Sequence, residues 1–464
     1  MSRRHRRAPR PPGGSAAARR RRGGPEAGTV APAGTIPAVP ALPGAAEVIR
    51  LGNGLTAGLL DNPQAPLVTT VLWYRAGSRD EPPGHGGLAH FLEHMMFKGS
   101  ARYGPGEIDR RTQALGGINN AFTDHDGTAY WFSFARDRWR EALAIEADRM
   151  AGLVLDPEAV ASERRVILEE IAMVEADPWD ALHLAVEAAL FAGHPYGRPV
   201  LGTRRELAAT GAAELAAFHH ARYRPDGAVL VVAGDLDGGR AGAAAAAVEA
   251  ALGGLPAGAA ARPAAPPARF PDRLRRLSRR QGEVGRLMLA LPAPPAGHPD
   301  HAPLAMLIEI LASGRASRLH RALVDDGQLC VWADADLGAS LDPGAVVFSF
   351  ELLPGVAPER AEQALLAELA ALAGPGARTP PSEAEVERAR RVVVADWVFG
   401  HERIHQQALA AAYALAFFDD LEHPQRELAR VLEADRETLL EVAARWLRPE
   451  RGAVLGWSLP REEG

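Results

Sequence analysis

A similar order of strand and helix patterns occurs twice in this chain, on either side of a proline- and alanine-rich segment at residues 253–272. Short apolar or alternating segments predict strands, and longer segments with apolar residues every three to four positions predict helices. In the first half, the segments are strands at 46–75, a helix at 106–115, a strand at 128–134, helices at 138–151 and 158–176, and a strand at 229–232. In the second half, they are a strand at 286–291, a helix at 303–323, a strand at 346–353, and helices at 357–373 and 382–399. Both halves place an Arg-Pro step before a last strand, so the sequence predicts an α+β fold built from two copies of one unit.

The length and composition of the chain agree with two globular units. At 464 residues, the chain is too long for one hydrophobic core. Its 47% hydrophobic and 24% charged residues are typical of soluble proteins. No uninterrupted apolar run reaches about 18 residues, so no transmembrane segment is expected. We expect a first folded unit at 46–252, a linker at 253–272 and a second unit at 273–464. Cys330 is the only cysteine, which excludes an intrachain disulfide.

Residues 1–45 form a leader rich in arginine, proline and glycine, which we expect to be disordered. Its basic side chains could bind nucleic acid or anionic lipid, and a transit peptide or a start site placed too far upstream are alternatives. It lacks the apolar core of about 7–15 residues that a secretory signal needs. The location in the cell is therefore left open: cytoplasmic by default, periplasmic if the true start differs. The folded part is acidic, and no nucleic-acid partner is expected for it.

The candidate metal-binding and catalytic residues His90, Glu93 and His94 lie in the run from Gly86 to Phe97. Residues four apart share one face of a helix, so the two imidazoles can converge on one metal ion. Glu93 lies beside them and can face a metal-bound water without being a ligand, in the inverted order of the His-Glu-x-x-His zinc-peptidase helix. The alternative is two histidines on an amphipathic helix with a solvated glutamate.

A third metal ligand is needed, because catalytic zinc usually takes three protein ligands. The segment at 158–176 predicts a helix in which Glu163 and Glu170 share a stripe with Ile167, while Glu169 falls on the solvent side. Glu170 is therefore the expected ligand. Glu163 is expected either to accept a hydrogen bond from a ligand histidine or to assist catalysis near the metal-bound water. The alternative is that both are ordinary surface glutamates. Two imidazoles and one carboxylate suit zinc, although manganese or cobalt could bind the same set.

These motifs resemble those of the pitrilysin-type inverzincin peptidases, especially the small bacterial members and the β subunit of the mitochondrial processing peptidase. The resemblance extends to further segments at 73–81, 119–123, 194–197 and 229–235. It implies two related domains, each a mostly antiparallel sheet backed by helices. It also implies that His90, His94 and Glu170 bind one zinc ion per protomer, that Glu93 is the general base and that Asn120 binds substrate.

The function expected from the resemblance is a zinc endopeptidase that hydrolyses unfolded peptides or presequences. The alternatives are a non-catalytic structural or assembly subunit of the same fold, which degenerate ligands would mark, and a metal-binding module, which would not need Glu93. The second half has no His-x-x-Glu-His pattern. No Arg–Tyr pair of the kind that holds substrate in relatives can be located there, and Arg318 and His320 are expected on an exposed helix face. Relatives of this length also imply a two-chain particle, either a homodimer or a heterodimer with a homologue lacking the zinc motif.

Overall fold

The computed structural model describes residues 45–236, 241–373 and 377–461. The leader at 1–44 lies outside the described residues, and the first strand begins at Ala45. The first sheet contains β1 (Ala45–Arg50), β2 (Thr56–Asp61), β3 (Leu67–Tyr74), β4 (Ile118–Thr123), β5 (Thr128–Ala135) and β6 (Ala228–Gly234). The second sheet contains β7 (Leu274–Arg280), β8 (Arg286–Ala293), β9 (Cys330–Leu337), β10 (Gly344–Leu352) and β11 (Ala453–Leu459).

The two sheets share one topology. The first has the order β1-β2-β6-β3-β5-β4, and the second has the order β7-β11-β8-β10-β9. Once β1 is set aside, each sheet has one parallel pair, β2 with β6 and β7 with β11, and otherwise antiparallel neighbours. The prediction of an α+β fold with two related, mostly antiparallel sheets is confirmed.

Helices cover both faces of both sheets. In the first half they are α1 (Leu88–Met95), α2 (Glu107–Ala114), α3 (Arg140–Gly152), α4 (Pro157–Ala176), α5 (Pro178–Leu190), α6 (Arg204–Ala209), α7 (Ala212–Arg222) and α8 (Ala241–Leu252). In the second half they are α9 (His301–Ala312), α10 (Pro358–Ala373), α11 (Glu383–Gly400), α12 (Ile404–Phe418), α13 (His423–Glu433) and α14 (Arg436–Trp446). Within the described ranges, none of these helices is long and apolar enough to cross a membrane.

Each half supplies a helix that covers the other half's sheet. Helix α12 packs through Ala408, Ala411 and Leu415 onto one face of the first sheet, against β3 and β6. Helix α5 packs through Leu182 and Val186 onto one face of the second sheet, against β8 and β11. All five side chains are buried. Because burial of such apolar surface drives folding, this exchange makes the two halves mutually dependent.

A buried polar cluster also joins the halves, next to the turn between β4 and β5. The Tyr196 hydroxyl donates to the Asp126 carboxylate at 2.7 Å and accepts from the Asp342 backbone N–H at 3.1 Å. The Leu341 backbone N–H donates to the same Asp126 carboxylate at 3.0 Å. From the irregular 253–271 segment, the Arg262 guanidinium donates to the Asp126 carbonyl oxygen at 2.8 Å. The loop between β9 and β10 is thus fastened to the turn at the end of β4.

Two predictions for the second half are wrong. The helix expected at 303–323 ends at Ala312, because Gly314 adopts a positive φ of 71°, and a separate π-helical turn follows at His320–Asp325. Arg318 is not on an exposed face. Its side chain is only 9% exposed and donates two hydrogen bonds, at 2.8 and 2.7 Å, to the Glu385 carboxylate. Arg318 is therefore a structural ion-pair residue that fixes the start of α11.

Candidate metal centre

Helix α1, which carries both histidines, has its N-terminus held in place by Gly87 and Glu81. Gly87 precedes it with φ = 88°, and a β-carbon there would lie 2.3 Å from the Leu201 carbonyl oxygen, so only glycine fits. The buried Glu81 carboxylate accepts from the Gly87 and Ala89 backbone N–H groups at 3.1 and 2.8 Å. Burial raises the pKa of Glu81 to about 8, although these two hydrogen bonds oppose the rise. These contacts set the position of the first turn of α1.

Helices α1 and α4 bring together the three predicted metal ligands. The Nε2 atoms of His90 and His94 each lie 3.7 Å from Glu170 Oε2. One donor atom from each residue lies within 4.8 Å of the others, as a three-ligand site requires. Helix α4 is set by Asp156, whose side chain accepts from the Ala159 N–H, and by Pro157 in the first turn. As predicted from the helical stripe, Glu170 faces the histidines while Glu169 is exposed.

The donor set fits a zinc ion. Donors placed tetrahedrally about 2.1 Å from zinc are about 3.4 Å apart, so the 3.7 Å separations exceed this by only about 0.3 Å. Burial lowers the pKa of His90 to about 3, so its ring is neutral, as a ligand must be. The buried His94 Nε2 atom has no hydrogen-bond partner within the described part of the chain. An unpaired nitrogen aimed at two other donors is the arrangement that a cation satisfies.

Glu163 lies behind His94, with one oxygen 2.8 Å from His94 Nδ1 and the other 2.6 Å from Lys98 Nζ. Burial alone would raise the pKa of Glu163, but the hydrogen bonds from His94 and Lys98 outweigh it and lower the pKa. An ionised carboxylate can only accept, so His94 donates from Nδ1 and keeps a lone pair on Nε2. Of the two roles expected for Glu163, this position supports orientation of His94.

Glu93 lies beside the metal donors and is only 5% exposed. Its Oε2 atom accepts a hydrogen bond of 2.6 Å from the Thr123 hydroxyl, at the end of β4. Burial raises the pKa of Glu93, and the bond from Thr123 opposes that rise. A carboxylate with a raised pKa and one fixed donor is suited to accepting and returning a proton.

A cleft of about 330 Å³ opens next to Glu93 and His94, and its wall includes Asn119 and Asn120 from β4. Asn120 is exposed, and β4 is the edge strand of the first sheet. A larger depression of about 390 Å³, lined by residues such as Arg276 and Glu362, lies on the second sheet and includes no histidine or cysteine. The smaller cleft is therefore the one adjacent to reactive groups.

Sequence reasoning missed Thr123 and Lys98 as members of this site. Thr123 reaches Glu93 only because β4 packs against α1, which no local pattern reveals. Lys98 could have been noticed, because it is the only lysine in the chain and follows the motif by four residues.

The fold and the donor set together define a class: a two-sheet α+β protein with an inverted zinc-peptidase motif. A family model described as "Insulinase (Peptidase family M16)" matches residues 58–204. A second model, described as "Peptidase M16 inactive domain", matches residues 211–393. A relative in Mycobacterium leprae (strain TN), described as an uncharacterized zinc protease, is 31% identical over 326 residues, 70% of this chain and 73% of that protein. This chain belongs to peptidase family M16.

Two further comparisons agree with that placement. The β subunit of the mitochondrial-processing peptidase of Blastocladiella emersonii is 32% identical over 191 residues, which span 41% of this chain and 41% of that protein. The crystal structure of a protease from Helicobacter pylori superimposes with a TM-score of 0.84 at 23% identity, covering 90% of this chain and 100% of that chain. The first comparison confirms the resemblance to the processing-peptidase subunit, and the second shows the same fold.

Proposed function

We propose that this protein is a zinc-dependent endopeptidase that hydrolyses unfolded peptides or presequences. The observation that carries the proposal is the convergence of His90, His94 and Glu170 beside the buried Glu93 carboxylate. These three residues would hold a zinc ion, which would polarise the scissile carbonyl as a Lewis acid and lower the pKa of a bound water to about 7. In a non-catalytic subunit of this fold the donors would be free to degenerate, whereas here all three are present and together.

Glu93 is the proposed general base. Its carboxylate accepts a proton from the attacking water and returns it to the leaving amine. Thr123 keeps Oε2 of this carboxylate in place through the 2.6 Å bond. Asn120, exposed on the edge strand β4, is proposed to contact the substrate backbone, since an edge strand offers unpaired N–H and C=O groups to an extended peptide.

The working particle is proposed to contain two chains, in a homodimer or a heterodimer with a homologue lacking the zinc motif. Two apolar side chains on α4, Val166 and Met173, are 50% and 66% exposed. They are seven residues apart and so lie on one face of the helix that carries Glu170. A covering partner would exclude water from the site and strengthen its electrostatics. Sedimentation paired with activity tests this, and a monomer that cleaves at full rate contradicts it.

The Glu93→Gln variant tests the catalytic proposal directly. Glutamine keeps the shape of the side chain but cannot accept the proton, so we expect zinc content to stay unchanged while peptide cleavage falls by about 10²–10⁴-fold or more. Zinc is measured by atomic absorption, and cleavage is measured on a mixed peptide library. Glu169→Gln, an exposed change on α4, is the matched control. Near wild-type turnover in Glu93→Gln contradicts the mechanism. If the wild type and Glu93→Gln are both inactive, the non-catalytic alternative is favoured.

A further inference from the structure

Lys98 is the only lysine in a chain with 52 lysine and arginine residues. It lies just beyond the end of α1, where its backbone N–H donates to the Met95 carbonyl oxygen at 2.9 Å. Its side chain is 38% exposed at the wall of the cleft, while the Glu163 carboxylate that it contacts is only 8% exposed. The single lysine amine of this protein is thus at the metal centre.

The contacts of Lys98 form a short chain that ends at a metal donor. Its Nζ atom lies 2.6 Å from Glu163 Oε2, and Glu163 Oε1 lies 2.8 Å from His94 Nδ1. Both oxygens of the carboxylate are therefore held. Without the ammonium group, Glu163 would keep only the bond to His94 and could rotate with it. The direction of the His94 Nε2 lone pair would then be less well fixed.

The charge of Lys98 also balances the site. Glu93, Glu163 and Glu170 place three carboxyl groups within one small region, and ionised carboxylates in close proximity repel one another. The ammonium group of Lys98 neutralises Glu163, which contacts the Nδ1 side of His94 and does not face the metal position. A compact ammonium can approach a single carboxylate oxygen, whereas the planar guanidinium of arginine favours two-pronged contacts.

We propose that Lys98 is a positioning residue for the metal centre, acting through Glu163 to orient His94 for zinc. Loss of its amine charge should weaken zinc binding and lower kcat. The statement about kcat rests on the proposed function, whereas the statement about zinc affinity does not.

The first test is a double-mutant cycle read by zinc affinity, measured by competition with a fluorescent chelator. The proteins are wild type, Lys98→Met, Glu163→Ala and the double variant. Loss of a group that is hydrogen-bonded directly to a metal ligand typically weakens metal binding about 10- to 100-fold. We expect Glu163→Ala to fall in this range and Lys98→Met to show a measurable loss that does not exceed that of Glu163→Ala. Because Lys98 acts through Glu163, the double variant should bind zinc no more weakly than Glu163→Ala alone. Lys98→Arg keeps the charge and should lie closer to wild type than Lys98→Met.

The second test uses the fact that the chain has one lysine side chain. Acetylation with an N-hydroxysuccinimide ester removes the amine charge at Lys98, and we expect the zinc affinity of the wild type to fall to that of Lys98→Met. Lys98→Arg has the same α-amino group and the same tyrosines but no lysine, so its zinc affinity should not change on treatment.

Three results would overturn the proposal. Wild-type zinc affinity in Lys98→Met with a raised KM would show that Lys98 contacts substrate instead. Additive losses in the double variant would show that it acts independently of Glu163. A wild type that binds no zinc would overturn both this inference and the proposed function. Zinc binding with the expected coupling but no peptide cleavage would support the inference while removing the proposed function alone.

Discussion

Replacing Thr123 by valine removes one hydroxyl and leaves the size of the side chain almost unchanged. That hydroxyl is 2.6 Å from Glu93 Oε2, and the acceptor carboxylate is buried. A hydrogen bond to a charged group contributes about 1.5–3 kcal/mol. If the whole of this contribution is felt in the transition state, kcat/KM falls about 10- to 150-fold, because 1.36 kcal/mol corresponds to a factor of ten.

The loss should appear in kcat and in the pH profile, with KM unchanged, since the Thr123 side chain is directed at Glu93 and is not part of the cleft wall. The bond from Thr123 lowers the pKa of Glu93 against the effect of burial. Its removal therefore raises that pKa, and the acid limb of the kcat/KM profile moves to higher pH. Steady-state cleavage of a quenched fluorescent peptide across the pH range measures both effects.

Thr123→Ser is the matched control, because it keeps the hydroxyl and should retain most of the activity. Zinc content should be equal in all three proteins, since Thr123 contacts none of the metal donors. The reasoning is refuted if Thr123→Val matches wild type in kcat/KM and in its acid limb. It is also refuted if Thr123→Ser is as impaired as Thr123→Val.

Three further predictions concern the scaffold. Each half of the chain, residues 45–252 or 253–461, should fail to unfold cooperatively when it is expressed alone, because α12 and α5 each cover the other half's sheet. Co-expression of the two halves should restore a single unfolding transition in calorimetry. An isolated half that unfolds cooperatively contradicts this. Tyr196→Phe leaves the buried Asp126 carboxylate without its hydroxyl donor and should lower the free energy of unfolding in urea by about 1–3 kcal/mol; an unchanged midpoint contradicts this. Burial tends to raise the pKa of Glu385, but hydrogen bonds from Arg318 and Ser382 lower it from 4.5 to about 2. The wild type should therefore have a larger free energy of unfolding in urea than Glu385→Gln, by an amount that is constant above about pH 5 and shrinks toward pH 2. A pH-independent difference contradicts this.

Helical periodicity was sufficient to predict which side chains share a helix face at the candidate metal centre. His90 and His94 are four apart, and the stripe through Ile167 separates Glu170 from Glu169. The duplicated fold was also predictable, since the order of apolar segments repeats. Shared helix faces and the order of segments are properties of the sequence itself, whereas the contact between α1 and α4 comes from tertiary packing.

Features that depend on tertiary packing could not be predicted. Helix α12 is apolar along almost its whole length, and nothing in its sequence shows that it covers the first sheet and not the second. Strand β7 contains four arginines in seven residues and has no apolar run, so it was missed. The contact of Thr123 with Glu93 likewise requires β4 and α1 to be adjacent. The roles proposed for the site residues remain predictions that rest on these contacts.

The central claim is that His90, His94 and Glu170 hold one zinc ion, and the most direct test compares two adjacent glutamates on α4. Metal content after dialysis, measured by atomic absorption, should be about one zinc per chain in the wild type. Glu170→Gln should lose most of this zinc, because Oε2 of Glu170 lies 3.7 Å from both histidine nitrogens. Glu169→Gln, at an exposed position one residue earlier, should retain it. Loss of zinc from Glu169→Gln with full retention in Glu170→Gln would contradict the account.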